Sequence, residues 1–394
     1  MATQRMKLGI GSVVTFMEVI KNDDLKERDQ LHWNVLSLDG YGCNVNAMIS
    51  PREAGKTTSM MIDKVYAGFK KGLPTVYMVN QPVEIMPELC GSFETEINAF
   101  AGCHILTKYP KGGKAQGDIT TVWGRFTEEE DWRPMVYIMA FSTPETRLKR
   151  LKLGRINCIW YDECNVNVTL GEKWPPNIGT KFNTLYTTLA RGNYPGRLNF
   201  YMTGNYYTRY NPILTYLGVD CDRMNLGKTF KTKCEKQVAG HAVVYDVLVQ
   251  CYQLKQELID YILEHNPGYA FDDTYARYFE GEAIGDVGVP IEKVQPQGFG
   301  LKYVFKFGGS KYLYIYINKT AGSLNKYWLS ARKEEPGKRQ DIWSTSLSQL
   351  TGNTFLAKSF KSLFNHLKNA IARMDCTFDS MEAYYMTLEL DSII

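Results

Sequence analysis

One segment constrains this chain more than any other. The apolar run Asn44–Ile49 ends in Ser50-Pro51-Arg52-Glu53-Ala54-Gly55-Lys56-Thr57, and a helical pattern follows over Thr57–Lys71. Strand, Gly-Lys-Thr loop, helix is the setting in which backbone N–H groups wrap a phosphate at a helix N-terminus. In such a loop Lys56 reaches the β and γ phosphates and Thr57 holds Mg2+. The first position is Ser50, where Gly is usual for its positive φ or close packing, so an altered loop geometry is expected there. The short string also suits a plain loop-to-helix turn with a capping residue. A second half is needed to decide.

That half ends at Asp162, 106 residues after Lys56. The apolar run Ile156–Tyr161 closes on Asp162-Glu163. A metal-holding aspartate at a strand end completes a P-loop ATPase site, and a glutamate directly after it orients and polarises the attacking water. Alone, the run reads equally as a strand ending at a solvated turn. Two adjacent carboxylates favour the additional-strand, catalytic-glutamate (ASCE) class, which has an extra strand between the loop and acid strands and includes many ring motors. The run Leu198–Thr203 continues into Gly204-Asn205. Thr203 and Asn205 there either sense a γ-phosphate or merely cap the strand. Arg191 follows the helical segment Lys181–Ala190. It is a candidate finger toward a neighbouring subunit, or one more surface arginine.

Strand-like runs at Asn44–Ile49, Thr75–Val79, Met135–Phe141, Ile156–Tyr161, Leu198–Thr203 and Ala242–Val249 alternate with helical patterns. That predicts an α/β ASCE domain with a RecA-like parallel sheet over residues 1–252, the first 40 forming a helical arm. Residues 253–294 read as a linker or lid, with a helix over Leu254–His265 and another starting at Thr274–Glu280. From 295 the character is α+β. Lys302–Phe307 and Lys311–Ile317 are joined by Gly308-Gly309-Ser310 as a hairpin, and 355–375 carries a helical period.

At 394 residues, with 44% hydrophobic and 22% charged, the chain is neither disordered nor coiled coil. Its nine cysteines form no Cys-x-x-Cys pair, which argues against zinc and for free thiols in a reducing cytosol. No apolar run approaches the ~20 residues of a membrane span. The stretch Leu8–Ile20 mimics a signal peptide, but Glu18 interrupts it and no cleavage pattern follows. A net charge of +4 does not by itself demonstrate a nucleic-acid partner. The run containing Arg147, Lys149, Arg150, Lys152 and Arg155 lacks any acid. It is a solvated face, a subunit interface or a sequence-independent grip on DNA phosphates.

Together these pieces resemble one family. The order is a P-loop with an internal arginine, Arg52, then Ile159-Trp160-Tyr161-Asp162-Glu163, then Leu189-Ala190-Arg191. Met202-Thr203-Gly204-Asn205 and Tyr210-Asn211-Pro212 follow. This is similar to the DNA-packaging (encapsidation) ATPases of short-tailed, protein-primed phages of the phi29 type, compact relatives of the large terminases. The likeness runs from about residue 33 to the C-terminus and is strongest over 43–215. Residues 1–32 have no counterpart.

The resemblance implies that Lys56 and Thr57 hold ATP and Mg2+, with Asp162 as metal ligand and Glu163 as hydrolytic glutamate. It makes Arg191 a trans finger, Arg52 the extra loop arginine, and Thr203 and Asn205 parts of a coupling segment. It likens Tyr275–Glu282 to the stretch joining motor to C-terminal domain. It implies a homo-oligomeric ring, a pentamer, driving double-stranded DNA through the portal (connector) of a procapsid in the cytoplasm of an infected bacterium. It leaves open a packaging RNA. Over 295–394 it implies an RNase H-like domain. Two-metal nucleases need converging carboxylates, yet no Asp or Glu occurs between residues 293 and 333, while Lys302, Lys306 and Lys311 are among several basic groups. The domain is therefore expected to hold nucleic acid, or dock the portal, without cutting. An upstream aromatic, Trp33 or Tyr41, is a candidate adenine contact. The rival readings are another P-loop translocase or helicase, and a non-hydrolysing nucleotide-binding structural module.

Overall fold

A computed structural model describes residues 32–393, apart from 111–118, 195, 239–240, 272–276, 278, 280–281, 287, 308–310, 321–325, 333–335, 338–340, 346–353, 358–360 and 374. Residues 1–31 of the expected arm, the Gly308–Ser310 hairpin loop and most of Tyr275–Glu282 lie outside the described residues.

Among the described residues, nine strands form the larger sheet: β1 Val45–Ser50, β2 Thr75–Val79, β3 Leu106–Lys108, β4 Thr120–Arg125, β5 Arg133–Ala140, β6 Cys158–Tyr161, β7 Asn199–Asn205, β8 Lys228–Val238 and β9 His241–Cys251. Their order is β3-β4-β5-β2-β6-β7-β1-β9-β8. The central run from β5 to β9 is parallel throughout. β4 joins β5, and β8 joins β9, antiparallel. The all-parallel centre explains the unbroken apolar runs: β1, β2 and β6 are buried along their whole length, with both faces covered.

Alternate residues of each strand feed two cores. Met48, Tyr77, Ile138, Trp160 and Leu248 face the helix α1, which is α over Lys56–Met60, π over Met61–Tyr66 and α again over Ala67–Lys70. The same side holds α2, Pro87–Ala101, which starts with Pro at its first position and ends at the left-handed Gly102. Val45, Val76, Ile159, Phe200 and Val247 face the other way. They pack on α3, Ile178–Asn193, and α4, Pro212–Tyr216, whose Asn211 cap accepts from the Ile213 and Leu214 N–H groups.

The helix α5, Gln256–His265, buries Leu258 and Ile262, with Leu254 just before it, in the first of these cores. That segment is part of the motor domain and not of a linker, a correction to the boundary at 252. Among the described residues, the rest of 253–294 includes the short turns Pro267–Phe271 and Ile284–Asp286.

The second sheet contains β10 Phe299–Phe307, β11 Lys311–Asn318, β12 Tyr327–Arg332, β13 Ile342–Ser344, β14 Thr354–Leu356 and β15 Cys376–Phe378, ordered β14-β13-β10-β11-β12-β15. β10, β11 and β12 are antiparallel neighbours, while β13 runs parallel to β10 and β14 parallel to β13. Two parallel strands thus extend the antiparallel trio at one edge, and β15 runs parallel to β12 at the other. The helical reading of 355–375 holds only for α6, Lys361–Ala372. Phe355 and Leu356 lie in β14, because three-residue strands carry too little sequence to show their period.

Phe305, Leu313, Ile315, Leu329 and Phe378 join the same core as β1, β6 and β7, together with α7, Met381–Ile393. The two domains are thus welded along one apolar seam. In that seam the Tyr210 hydroxyl donates to Glu389 at 2.7 Å, and the Tyr210 and Tyr385 rings stack 5.1 Å apart. Burial pushes the Glu389 carboxyl up from an ordinary 4.5 to about 7. The unfolded chain releases this proton first, so stability is full below about pH 4.5 and falls as pH rises toward 7. The loss is on the order of 3–4 kcal/mol, since one pKa unit is about 1.4 kcal/mol. Glu389→Gln is expected to flatten that slope in denaturant titrations run from pH 4.5 to 7.5. A slope unchanged in the variant would exclude Glu389 as its source.

Candidate active site

The site lies beyond the C-terminal ends of β1, β6 and β7, where open α/β sheets hold their ligands. β7 stands between β1 and β6, the extra strand that the Asp162-Glu163 pair predicts. The register places Ser50 beside Asn205 and Tyr161 beside Met202, so loop, acid strand and polar strand end at one level.

Ser50 does not distort the loop. It is the last residue of β1, and positive φ occurs instead at Glu53 (65°) and Gly55 (80°). Its hydroxyl donates to the Pro51 carbonyl at 2.7 Å and accepts from Lys56 Nζ at 2.9 Å. Lys56 also donates to the Pro51 carbonyl (3.0 Å) and Asn205 Oδ1 (3.1 Å). Burial lowers its ammonium to about 8, opposed by the negative charge of Asp162. Gly55 takes a left-handed φ that other residues adopt only with strain. A Cβ there would also lie 3.0 Å from the His32 Cβ. The Ala54 carbonyl accepts from the Trp33 N–H at 2.9 Å, so residues 32–33 brace the loop from behind. Trp33 is 4% exposed and its indole donates to Gln250 at 2.6 Å, so its ring backs the loop and does not present a stacking face. Tyr41 is exposed.

Asp162 is the hub. Its Oδ1 accepts from Thr203 Oγ1 at 2.7 Å and from the Glu163 N–H at 3.0 Å. Its Oδ2 accepts from Thr57 Oγ1 and from the Tyr77 hydroxyl, both at 3.3 Å. The Trp160 indole in turn donates to Thr203 Oγ1 at 2.7 Å. Burial raises the Asp162 carboxyl, against the hydrogen bond from Thr203. Thr57 and Asp162 offer adjacent hard oxygen donors, the set Mg2+ prefers.

Glu163 sits at φ 47° with its side chain reaching solvent. Loss of surrounding water, then the charge of Asp162, pushes its carboxyl up, which suits a proton acceptor. Asn80, just past β2, donates to the Glu163 carbonyl at 3.5 Å and accepts from the Tyr161 hydroxyl at 2.5 Å. Asn80, Tyr77 and Tyr207 were not among the sequence candidates. The residue following each predicted core strand was the signal available for Asn80, since Ser50, Asp162 and Asn205 close or follow their strands in the same way. Arg52 swings to Tyr207, donating to its hydroxyl from Nε (3.2 Å) and Nη2 (2.8 Å).

Arg191 is not brought into this constellation. Two residues beyond it, the Asn193 side chain bonds both the N–H and the carbonyl of Ile156 at 2.9 Å, at the opposite end of β6. The four residues of β6, at ~3.3 Å each, put that end more than about 13 Å from Asp162. Arg191 is exposed there. Arg147, Lys149, Arg150 and Lys152 are exposed around the buried Leu148, with Lys149 paired to Glu145 at 2.8 Å. Lys302 is exposed and Lys306 half-buried. Lys311 is a correction. It is 2% exposed, donates to the Val219 carbonyl at 3.1 Å and pairs with Glu382, so it is an internal tie and not a nucleic-acid contact.

No protein-family model matches the chain, and no curated protein matches it by sequence. Among solved structures, one titled as the phi28 gp11 DNA packaging motor superimposes with a TM-score of 0.58 at 15% identity, covering 91% of this chain and 97% of that one. The bacteriophage phi29 viral genome packaging motor assembly gives 0.53 at 14% identity, covering 91% and 99%. The chain has the fold of a phage packaging motor. At 91% of this chain, the likeness takes in both sheets.

Proposed function

We propose that this chain is an ATP hydrolase that drives double-stranded DNA into a viral procapsid. The observation that carries the reading is the single carboxylate of Asp162, tied at once to the loop (Thr57) and to the intervening strand (Thr203), with Glu163 next to it and open to solvent. A nucleotide's phosphates fit the loop Ser50–Thr57, where Lys56 offers its charge and Thr57 and Asp162 would hold Mg2+. Held by Thr57 and Asp162, Mg2+ would supply positive charge against that developing on the phosphates. Glu163 accepts a proton from water as its oxygen attacks the γ phosphorus and the bond to ADP breaks. Asn205, bonded to Lys56, and Thr203, bonded to Asp162, register the change. Arg191, far from its own site, serves the site of the next subunit. That arrangement calls for a head-to-tail ring, a pentamer by resemblance to the phi29 type.

The same resemblance supports a portal partner, a possible packaging RNA, and action in the cytoplasm of the infected host. The absence of Asp and Glu between residues 293 and 333 supports packaging without cutting. The test is ATP turnover by the full chain with and without double-stranded DNA, beside ATP binding. DNA-stimulated turnover is expected. Binding without turnover under any condition would favour a structural module, and strand unwinding would favour a helicase.

A further inference from the structure

Resting on that reading, the structure points to a positioning residue for the loop arginine that is itself set by the C-terminal domain. We propose that the Tyr207 hydroxyl seats Arg52, and that the turn Ile284–Asp286 fixes Tyr207, so that docking of the C-terminal domain is felt at the phosphate loop.

The argument follows the chain past the polar end of β7. Asn205 bonds Lys56, and the Tyr206 N–H donates to the Ser50 carbonyl at 2.8 Å, so this segment is stitched to the loop. Tyr207 comes next and is 8% exposed, with its hydroxyl on two nitrogens of Arg52. The following residues all face the other domain. The Tyr207 carbonyl accepts from the Gly285 N–H at 2.8 Å. Asp286 accepts from Arg209 Nε at 2.5 Å, from the Tyr385 hydroxyl at 2.9 Å and from Thr208 Oγ1 at 3.5 Å. Tyr210 reaches Glu389. Tyr207 thus has one end of its contacts in the ATP loop, and the three residues after it bond to the turn or to α7.

Gly285 sits tightly between Tyr207 and Tyr385. A Cβ built on it would lie 2.7 Å from the Tyr385 hydroxyl and 3.0 Å from the Tyr207 carbonyl oxygen. A side chain at 285 must therefore push the Tyr207 backbone or the Tyr385 ring away. The consequence for Arg52 is geometric. The Tyr207 hydroxyl takes two of its hydrogen bonds, and moving that hydroxyl by about an ångström is enough to break bonds whose useful range is ~2.7–3.2 Å. Positioning errors of that size cost large factors in rate without a matching loss of binding.

The experiment uses the full-length protein with ATP and double-stranded DNA. Tyr207→Phe keeps the ring and removes only the hydroxyl. It is expected to lower kcat at least tenfold with KM within threefold. In an Arg52→Ala background the same change is expected to add less than twofold, because the residue it positions is gone. Gly285→Ala is expected to lower kcat similarly and to add little to Tyr207→Phe. Wild-type kcat in Tyr207→Phe would overturn the proposal, and so would a full further loss in the Arg52→Ala background. If Gly285→Ala does not fold, those two results still decide. A wild-type chain without turnover overturns the ATPase reading and this inference with it. A wild-type chain that turns over while Tyr207→Phe matches it overturns this inference alone.

Discussion

Glu163→Gln is expected to reduce ATP turnover at least a thousandfold while leaving ATP affinity within about threefold, a barrier increase of ~4 kcal/mol at about 1.4 kcal/mol per decade. The size follows from the chemistry: the amide cannot take the proton of the attacking water, and a positioned base contributes ~10²–10⁴ in rate. The selectivity follows from the structure. The Glu163 contacts that shape the site are made by its backbone, through the N–H to Asp162 and the carbonyl to Asn80, and both survive the substitution. Lys56, Thr57 and Asp162, which would hold the phosphates and metal, keep their own network. Phosphate release in the steady state measures the first part, and equilibrium ATP binding the second. Turnover within tenfold of wild type would assign the base elsewhere. Loss of binding alongside turnover would make Glu163 a structural residue of the strand end.

The site was legible in sequence where the fold makes a single strand carry it. Buried parallel strands are continuous apolar runs, and the residue that ends each run is where chemistry sits. Ser50, Asp162 and Asn205 could be read in this way. The residues that were not legible acquire their roles through distant approach: Tyr207 meets Arg52 across 155 positions, and Tyr77 meets Asp162 across 85. No local spacing encodes either contact. The edge strand β8 failed for a different reason. Its sequence, Lys228-Thr-Phe-Lys-Thr-Lys-Cys, has little hydrophobic alternation, and it exists because β9 supplies a register over eleven paired positions.

Ser50 shows the converse. A departure from the usual loop residue signalled altered geometry, yet the strand simply extends one residue further and the hydroxyl becomes a partner for Lys56. The positive φ values moved inward to Glu53 and Gly55, where the loop turns. A side chain was tolerable because the backbone at that position is extended.

The same strand logic, applied to β11, would have placed Lys311 correctly. Lys311, Leu313 and Ile315 share one face by the period of two, and Leu313 and Ile315 point into the seam against the motor domain. Lys311 must then do the same, and it answers the Val219 carbonyl and the Glu382 carboxylate there. With side-chain exposures of 3% and 17%, the pair is largely withdrawn from water. Removing one partner strands the other charge in the seam, which costs ~3–5 kcal/mol. Lys311→Ala is therefore expected to lower the melting temperature by about 10 °C, taking roughly 2–4 °C per kcal/mol for domains of this size. DNA binding measured below the transition is expected to be unchanged. Lys311→Met combined with Glu382→Gln leaves no uncompensated charge and is expected to recover at least half of the loss, since apolar replacement of a buried pair is often close to neutral. A Lys311→Ala protein that melts like wild type and binds DNA less tightly would instead return Lys311 to the surface that grips the duplex.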